Sequence, residues 1–260
     1  MRKIFSVIGA AMFAALFIVA CSKASEESAP EVSQDVLNQI SALGFSTGNV
    51  IAENGGYVVE GDIFLSAQDL TTMKTTHKLV VANEEQYRTT NLVTGPRNIT
   101  VSVSGTVPAN FSTAVNAAIA RYNAENLTLT FSRVASGGNI NIKIVNTRQY
   151  IASAGFPTGG NPYNTISYAK TYTTYGVDFM TTVVAHEMGH CIGFRHTDYM
   201  SRQYSCGGSA YNEGASTVGA ILIPGTPSGP DPNSWMLACL SATTNRPFNA
   251  NDKTALNYLY

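Results

Sequence analysis

Apolar residues recur along the chain with two different periods, and each period predicts a different kind of element. Near the start, Val36, Ile40 and Leu43 stand at helical spacing. Short stretches at residues 57–59 and 62–65 then follow the pattern of strands that turn one face to a core. The chain up to about residue 95 therefore predicts a small region of mixed helix and strand.

A second and longer series of elements follows Pro96. Its strands alternate apolar and polar residues, and its helices repeat apolar residues three and four positions apart. The predicted elements, in chain order, are a strand at 99–103, a helix at 111–122, strands at 127–131, 140–144 and 164–170, a helix from about Asp178, an irregular stretch over 201–245 and a closing helix at 252–260. This mixed order predicts an α+β fold.

Composition narrows the range of functions. The chain has 260 residues, of which 44% are hydrophobic and only 13% are charged. Sixteen Lys and Arg against seventeen Asp and Glu leave a formal charge of −1. Because no basic excess exists to release counterions from a nucleic acid, we expect no polynucleotide partner. The hydrophobic content also excludes disorder of the whole chain.

The first residues have the pattern of an export signal. Two basic residues precede an apolar run from Ile4 to Ala20, and Cys21 follows. The end of this run resembles a bacterial lipobox, in which cleavage after residues 1–20 leaves the cysteine to carry lipid. An ordinary signal peptide or an anchor helix is the alternative, although a spanning helix needs ~20 apolar residues. We therefore expect a cell-envelope lipoprotein, at the outer membrane or cell surface, that touches the membrane only through its lipid anchor and a linker over 21–31.

Three cysteines remain beyond the lipobox. Cys191, Cys206 and Cys239 allow at most one disulfide and leave a spare thiol. We expect Cys206 to pair with Cys239, but the sequence leaves the other pairings open.

One segment carries a set of metal-binding residues at helical spacing. His186 and His190 are four residues apart, so on a helix they lie about 40° apart around the axis and roughly 6 Å apart along it. Two imidazoles at this spacing can bind one zinc ion. Glu187 projects about 100° from His186, so its carboxylate can miss the metal and still reach a water bound to it.

A third histidine completes the set. On a continued helix His196 would lie roughly 9 Å beyond His190 and on another side, so the chain has to turn before it. Gly193 is placed for that turn, because glycine readily adopts the left-handed conformation that ends helices. Three ligands leave the fourth position of a tetrahedral zinc open to water. A structural zinc site is the alternative, but it is usually closed by four protein ligands and would not need Glu187.

The full motif, HExxHxxGxxHxD over residues 186–198, resembles that of the metzincin clan of zinc endopeptidases. The sequence of the motif, HEMGHCIGFRHTD, is similar to that of the dual-action HEIGH metallopeptidases. The similarity extends from about Glu60 to Tyr260. The resemblance implies a metzincin-like catalytic domain. Such a domain has a twisted mixed sheet, a backing helix, an active-site helix and an irregular C-terminal subdomain with a Met-turn and a closing helix.

The same resemblance implies roles for residues after the third histidine. Asn-Ser-Trp-Met, ending at Met236, is similar to the methionine turn that lies beneath the metal; an ordinary buried methionine is the alternative. Ala238 stands where some metzincins carry a tyrosine that assists the transition state, so that role is absent or supplied elsewhere. Asp198 is expected to hold the segment after His196 or to support a metal ligand, with a solvated turn residue as the alternative.

These residues predict a zinc-dependent endopeptidase with one catalytic Zn²⁺ and Glu187 as its general base. The resemblance implies that a protein or peptide substrate lies extended along an edge strand, which we place near residues 164–170. We expect a monomer. The alternative is a catalytically silent surface lipoprotein that keeps a zinc-bound scaffold as a binding module, and the presence of Glu187 argues against it.

The region before the catalytic domain suggests a means of control. We expect a propeptide over 32–95 and the metallopeptidase domain over 96–260, with release by cleavage near residues 88–97. The sequence Val-Glu-Gly-Asp-Ile, residues 59–63, resembles the propeptide motif of astacins, in which an aspartate occupies the open zinc position. Asp62 is therefore expected to be a latency ligand, because a carboxylate binds zinc and would displace the water. A Gly-Asp turn between strands is the alternative.

Overall fold

The computed structural model describes residues 31–72, 86–209, 212–214, 219–227 and 229–260. The first elements are α1 (Gln34–Ala42), β1 (Ile51–Glu53), β2 (Gly56–Val59), β3 (Ile63–Ser66), α2 (Ala67–Thr72) and β4 (Tyr87–Arg88). The middle of the chain forms β5 (Arg97–Ser104), α3 (Ala109–Asn123), β6 (Leu129–Arg133), β7 (Ile140–Val145), β8 (Ala152–Ala154), β9 (Thr165–Ala169) and α4 (Val177–Ile192). The last elements are α5 (Gln203–Cys206), β10 (Ile221–Leu222) and α6 (Ala250–Leu259).

Eight strands form one mixed sheet, in the spatial order β1-β2-β3-β8-β9-β7-β5-β6. The pairs β5–β6, β5–β7 and β7–β9 are parallel, whereas β8 pairs antiparallel with β9. The first three strands form an antiparallel meander that joins β8 through a parallel bridge between Ile63 and Ala154. Strand β3 therefore covers the outer side of β8.

The expectation that residues 164–170 form the edge strand is wrong. They form β9, which lies inside the sheet between β7 and β8. The second series ends in β6 on one side and in β8 on the other, and β8, which adjoins β3, has three residues, all of them buried. A strand of three small buried residues has no alternation of apolar and polar positions, so the sequence pattern did not reveal it.

The main core lies between the sheet and the helices α3 and α4. Alternate residues of the central strands are fully buried, including Ile99, Val101, Ile140 and Ile142. Helix α3 turns one apolar face to the same core, as its spacing predicted. The predicted α+β fold with a mixed sheet, a backing helix and an active-site helix is therefore confirmed.

A smaller apolar cluster holds the first elements together. It joins α1 to strands β2 and β3 through the following buried residues: Ile40, Leu43, Phe45, Val59, Ile63 and Leu65. Phe156 is the buried member of this cluster that comes from the second series of elements. The region up to residue 72 thus has a small core of its own, which Phe156 joins from the second series.

The C-terminal part is irregular, as expected, and is fixed by specific links. Cys206 and Cys239 form a disulfide, and Cys191 is a buried free thiol. The closing helix α6 begins with a capping box, in which Asn249 and Asp252 satisfy each other's backbone N–H groups.

The expected export signal, the lipidated Cys21 and most of the linker lie outside the described residues. Among the residues that are described, no helix has the length and the apolar character needed to cross a membrane.

Candidate active site

Helix α4 carries the first part of the motif into the interior. His186, Glu187 and His190 are all buried on it. The helix ends at Gly193, which adopts the left-handed conformation with φ 112° and donates its N–H to the carbonyls of Gly189 and His190. A β-carbon at Gly193 would also lie 2.8 Å from a side-chain carbon of Leu92, so both backbone and packing favour glycine here. This turn directs the chain back toward the histidines.

The turn brings the third histidine to the first two. The Nε2 atoms of His190 and His196 are 3.2 Å apart. Asp62 reaches the same point from the start of the chain: its Oδ2 lies 3.2 Å from His196 Nε2 and 3.5 Å from His186 Nε2. One ligand atom from each of these four residues lies within 4.8 Å of all the others.

Each imidazole is held by its other ring nitrogen. Nδ1 of His186 lies 2.8 Å from the carbonyl oxygen of Trp235, and Nδ1 of His190 lies 2.9 Å from that of Phe194. Nδ1 of His196 is 3.0 Å from both carboxylate oxygens of Glu213. Because carbonyl and carboxylate oxygens only accept hydrogen bonds, each Nδ1 carries a proton, which leaves Nε2 as the atom of each ring that can bind a metal.

This donor set fits a zinc ion. His186 Nε2 is buried without a hydrogen-bond partner in the described part of the chain, and unprotonated nitrogens as close as 3.2 Å repel each other unless a cation lies between them. Tetrahedral zinc with Zn–N distances of about 2.0–2.1 Å places its nitrogen ligands about 3.3 Å apart. Burial, and then the charges of His186 and His196, lower the pKa of His190, which keeps it in the neutral form that binds a metal.

Glu187 lies beside the cluster and outside its set of ligand atoms. Its side chain is buried, and its Oε2 has no hydrogen-bond partner among the described residues. Burial raises the pKa of Glu187, and the negative charge of Asp62 raises it further. Glu187 also lines a cavity of about 210 Å³, called here the active-site cavity. The side chains around this cavity are Asp62, Tyr150, Ile151, Ala152, Val183, His186, Arg202, Ala238, Cys239 and Leu240.

Met236 packs directly against the active-site helix. A β-carbon added to Gly189 would lie 2.6 Å from the Met236 sulfur, so glycine at this helical position allows the close approach. The carbonyl oxygen of Met236 accepts a hydrogen bond of 3.0 Å from Thr197 N, next to the third histidine. The methionine is fully buried between these two parts of the motif. Met236 therefore links the active-site helix to the residue that follows the third histidine.

Asp198 is fully buried, which is inconsistent with a solvated turn residue. Its carboxylate accepts hydrogen bonds from Ser205 Oγ at 2.6 Å and from Ala238 N at 3.0 Å. The side chain therefore ties the segment after the third histidine to the segment after Met236 and to the helix α5.

The sequence did not predict Glu213, the buried Arg195 or the half-buried Arg202 as parts of the site. Arg202 Nη1 donates to Glu213 Oε1 at 2.7 Å, and Arg195 Nη2 lies 3.9 Å from Glu213 Oε2. Both arginines also contact Glu60. Arg195 Nη2 lies 3.5 Å from the Oε2 atom of Glu60, and Arg202 donates a hydrogen bond to the carbonyl oxygen of Glu60. Glu213 lies in the irregular stretch, where no periodic spacing relates it to the histidines.

The segment that delivers Asp62 is a tight turn between β2 and β3. Its residues Glu60 and Gly61 both have left-handed backbone conformations, with φ 53° and 93°. Left-handed residues in succession are typical of tight hairpin turns, and they carry Glu60 to the arginines and Asp62 to the histidines. The turn expected as the alternative for Asp62 is present, and its aspartate also joins the cluster.

Residues just before Pro96 pack with the motif, although the sequence assigned them to the propeptide. Tyr87 O accepts from Arg195 N at 2.9 Å, and Thr89 N donates to Gly193 O at 2.8 Å. Gln86 Nε2 donates to Asp252 Oδ1 at 2.7 Å. Strand β4 is therefore hydrogen-bonded to the loop that leads to the third histidine.

Comparisons with known proteins bear on this site. The model of the dual-action HEIGH metallopeptidase family matches residues 57–260. Two solved structures of myroilysin are similar. One has 20% identity and a TM-score of 0.32, and covers 40% of this chain and 50% of its own. The other has 18% identity and a TM-score of 0.41, and covers 63% of this chain and 83% of its own. No curated protein matches the sequence significantly. The match over 57–260 spans the histidine motif and Asp62 alike, and the chain belongs to the dual-action HEIGH metallopeptidase family.

Proposed function

We propose that this protein is a zinc-dependent endopeptidase of the metzincin type, made as a latent zymogen. The observation that carries the proposal is the convergence of three Nε2 atoms on one point, with Glu187 beside that point and outside the ligand set. A structural zinc site would have no use for a buried carboxylate in this place. The same observation argues against a silent binding module.

The three histidines would hold the zinc ion, each oriented by the acceptor on its Nδ1. When bound, zinc supplies Lewis-acid chemistry, since it lowers the pKa of a coordinated water to about 7 and polarises a carbonyl group. Glu187 accepts the proton of the attacking water and passes it to the nitrogen of the leaving amine. Its buried position and raised pKa suit it to hold that proton between the two steps.

Two features support latency in the full-length chain. The carboxylate of Asp62 lies within 4.8 Å of the three histidine nitrogens, where it would take the ligand position that the water needs. Strand β3 pairs with β8, so the edge to which an extended substrate would add a strand is already covered. Removal of the meander β1–β3 would free both the ligand position and the strand edge. We therefore propose that the substrate lies along β8 in the mature enzyme.

The packing of β4 favours a catalytic part that starts before Gln86, and not at Pro96. Cleavage near residues 88–97 would detach Tyr87 from Arg195 and Gln86 from Asp252. The first of these bonds holds the loop that leads to the third histidine, and the second holds the start of the closing helix. We propose that the propeptide ends upstream of Gln86 and that β4 stays with the mature enzyme.

The location of the protein is proposed from its sequence alone. The lipobox at Cys21 supports a lipid anchor in the cell envelope, with the catalytic part released when the propeptide is cleaved. We propose that the released enzyme is a monomer that acts on protein or peptide substrates.

The direct test measures casein hydrolysis by the purified chain after limited proteolysis, with and without a chelator. We expect hydrolysis that the chelator abolishes and that added zinc restores. Glu187→Gln should lose at least about 10²-fold in rate while it still binds one zinc per chain. Glu125→Gln, at a surface ion pair with Lys253, is the matched control and should keep full activity. Retained hydrolysis in Glu187→Gln would contradict the mechanism.

A further inference from the structure

Arg202 lies in the wall of the active-site cavity, next to the histidine cluster. It follows the turn of 3₁₀ helix at Tyr199–Ser201 and immediately precedes α5. Its guanidinium packs on the turn formed by residues 60–62 between β2 and β3, called here the inhibitory turn, because a β-carbon at Gly61 would lie 2.6 Å from Nη2. Its Nη1 donates to the carbonyl oxygen of Glu60. The guanidinium therefore holds the backbone that occupies the cleft in the latent form.

Most of the negative charge around this arginine belongs to the inhibitory turn. Burial lowers the pKa of Arg202, but the charges of Asp62, Glu213 and Glu60 together raise it. Two of those three carboxylates leave when the propeptide leaves. Glu213 then remains as the carboxylate that faces Arg202, Arg195 and His196. Arg202 thus stays in the wall of the mature cleft with one of its three neighbouring carboxylates, and Glu187 is the other acidic side chain that lines the cavity.

The rest of the cavity suits a side chain with an aliphatic stem. Val183, Ala238 and Leu240 supply apolar walls, and His186 and Glu187 place the cavity next to the scissile bond. A substrate side chain that enters it would meet apolar groups along its stem and the arginine at its polar end. A planar guanidinium binds a carboxylate with paired, charge-assisted hydrogen bonds.

We propose that Arg202 is a specificity-determining residue that makes the mature enzyme prefer Asp or Glu next to the scissile bond. This inference rests on the proposed peptidase function. The latent form supports it, because the segment that fills the cleft, Glu60-Gly61-Asp62, is itself acidic and contacts Arg202. The other role available to Arg202 is purely structural, as the partner of Glu213.

The test uses the full chain processed by limited proteolysis, and peptides that differ only in one residue flanking the scissile bond. That residue is Glu, Asp, Gln, Ala or Lys in turn, scanned on both sides of the bond. We expect kcat/KM for the Glu peptide to exceed that for the Gln peptide about tenfold at one position, as one charge-assisted contact allows. The preference should weaken in high salt, because the contact is ionic.

Variants separate recognition from structure. Arg202→Gln should bring the Glu/Gln ratio near one, Arg202→Lys should keep part of it, and Arg148→Gln, at an exposed loop, should keep all of it. A structural role alone would lower the rates of both peptides and leave their ratio unchanged, which overturns the proposal. Equal rates for the Glu and Gln peptides with wild-type enzyme overturn it too, whether or not the variants fold. A processed chain that cleaves no peptide at all refutes the proposed function itself.

Discussion

The position of Asp62 in the histidine cluster leads to a direct prediction for the full-length protein. Asp62→Ala removes a carboxylate that lies 3.2 and 3.5 Å from two imidazole nitrogens. Burial alone would raise the pKa of Asp62, but the charge of His196 and the contacts with both histidines hold it well below its usual value, so it is ionised at neutral pH. Two contacts of this carboxylate with the cationic centre that the histidines form with a bound zinc ion would be worth about 3 to 6 kcal/mol. That amounts to roughly 10²- to 10⁴-fold in the fraction of molecules with an open ligand position.

The gain in activity should fall near the lower end of that range. In the variant, β3 still covers β8 and Glu60 still meets the arginines, so a long substrate is still partly excluded. We therefore expect full-length Asp62→Ala to cleave a short fluorogenic peptide about 10²-fold faster than full-length wild type.

A second measurement does not depend on access to the cleft. In the cobalt-substituted protein, the visible spectrum reports the replacement of the carboxylate by water. Asp35→Ala, at an exposed position of the propeptide helix α1, is the matched control and should change neither signal. If Asp62→Ala is as inactive as wild type and has the same cobalt spectrum, the carboxylate is not a metal ligand and the latency argument fails.

Three further predictions concern the residues that support the site. Glu213→Ala should weaken zinc binding about 10- to 100-fold in a chelator competition, because His196 loses the hydrogen-bond acceptor on its Nδ1. Glu213→Gln should lose less zinc affinity. Equal zinc affinity in wild type and both variants would contradict this. Burial raises the pKa of Asp252 to about 7. Between about pH 4 and pH 7 the folded protein therefore keeps a proton that the unfolded chain releases. The free energy of unfolding should fall as the pH rises through this range, by at most about 1.4 kcal/mol per pH unit. Asp252→Asn should remove that slope, and urea titrations at both ends of the range that give a constant difference between the two proteins would refute it. Mass spectrometry of the active species should find Gln86 still attached, and an active enzyme that begins at Pro96 would exclude the role given to β4.

The parts of the site that could be predicted from sequence are those whose geometry is local. A helix fixes the relation of His186, Glu187 and His190, and a glycine with a left-handed backbone accounts for the return to His196. Asp62 is far away in the chain, and only its resemblance to a propeptide motif singled it out. The structure brings its carboxylate to the histidines. Met236, like Asp62, was singled out only by resemblance to a known motif. Its position against Gly189 depends on packing that the spacing of residues in the sequence does not give.

The residues that escaped prediction are those that act through long-range contacts. Glu213 lies in an irregular stretch, Arg202 precedes a single turn of helix, and Gln86 bonds to a residue 166 positions later. None belongs to a periodic pattern, so each is visible only when the chain is folded. We propose that their contacts decide how firmly the third histidine is held, when the ligand position opens and which side chain the cleft accepts. On these proposals the motif specifies the chemistry, while its timing and selectivity would depend on residues that only the tertiary structure brings to it.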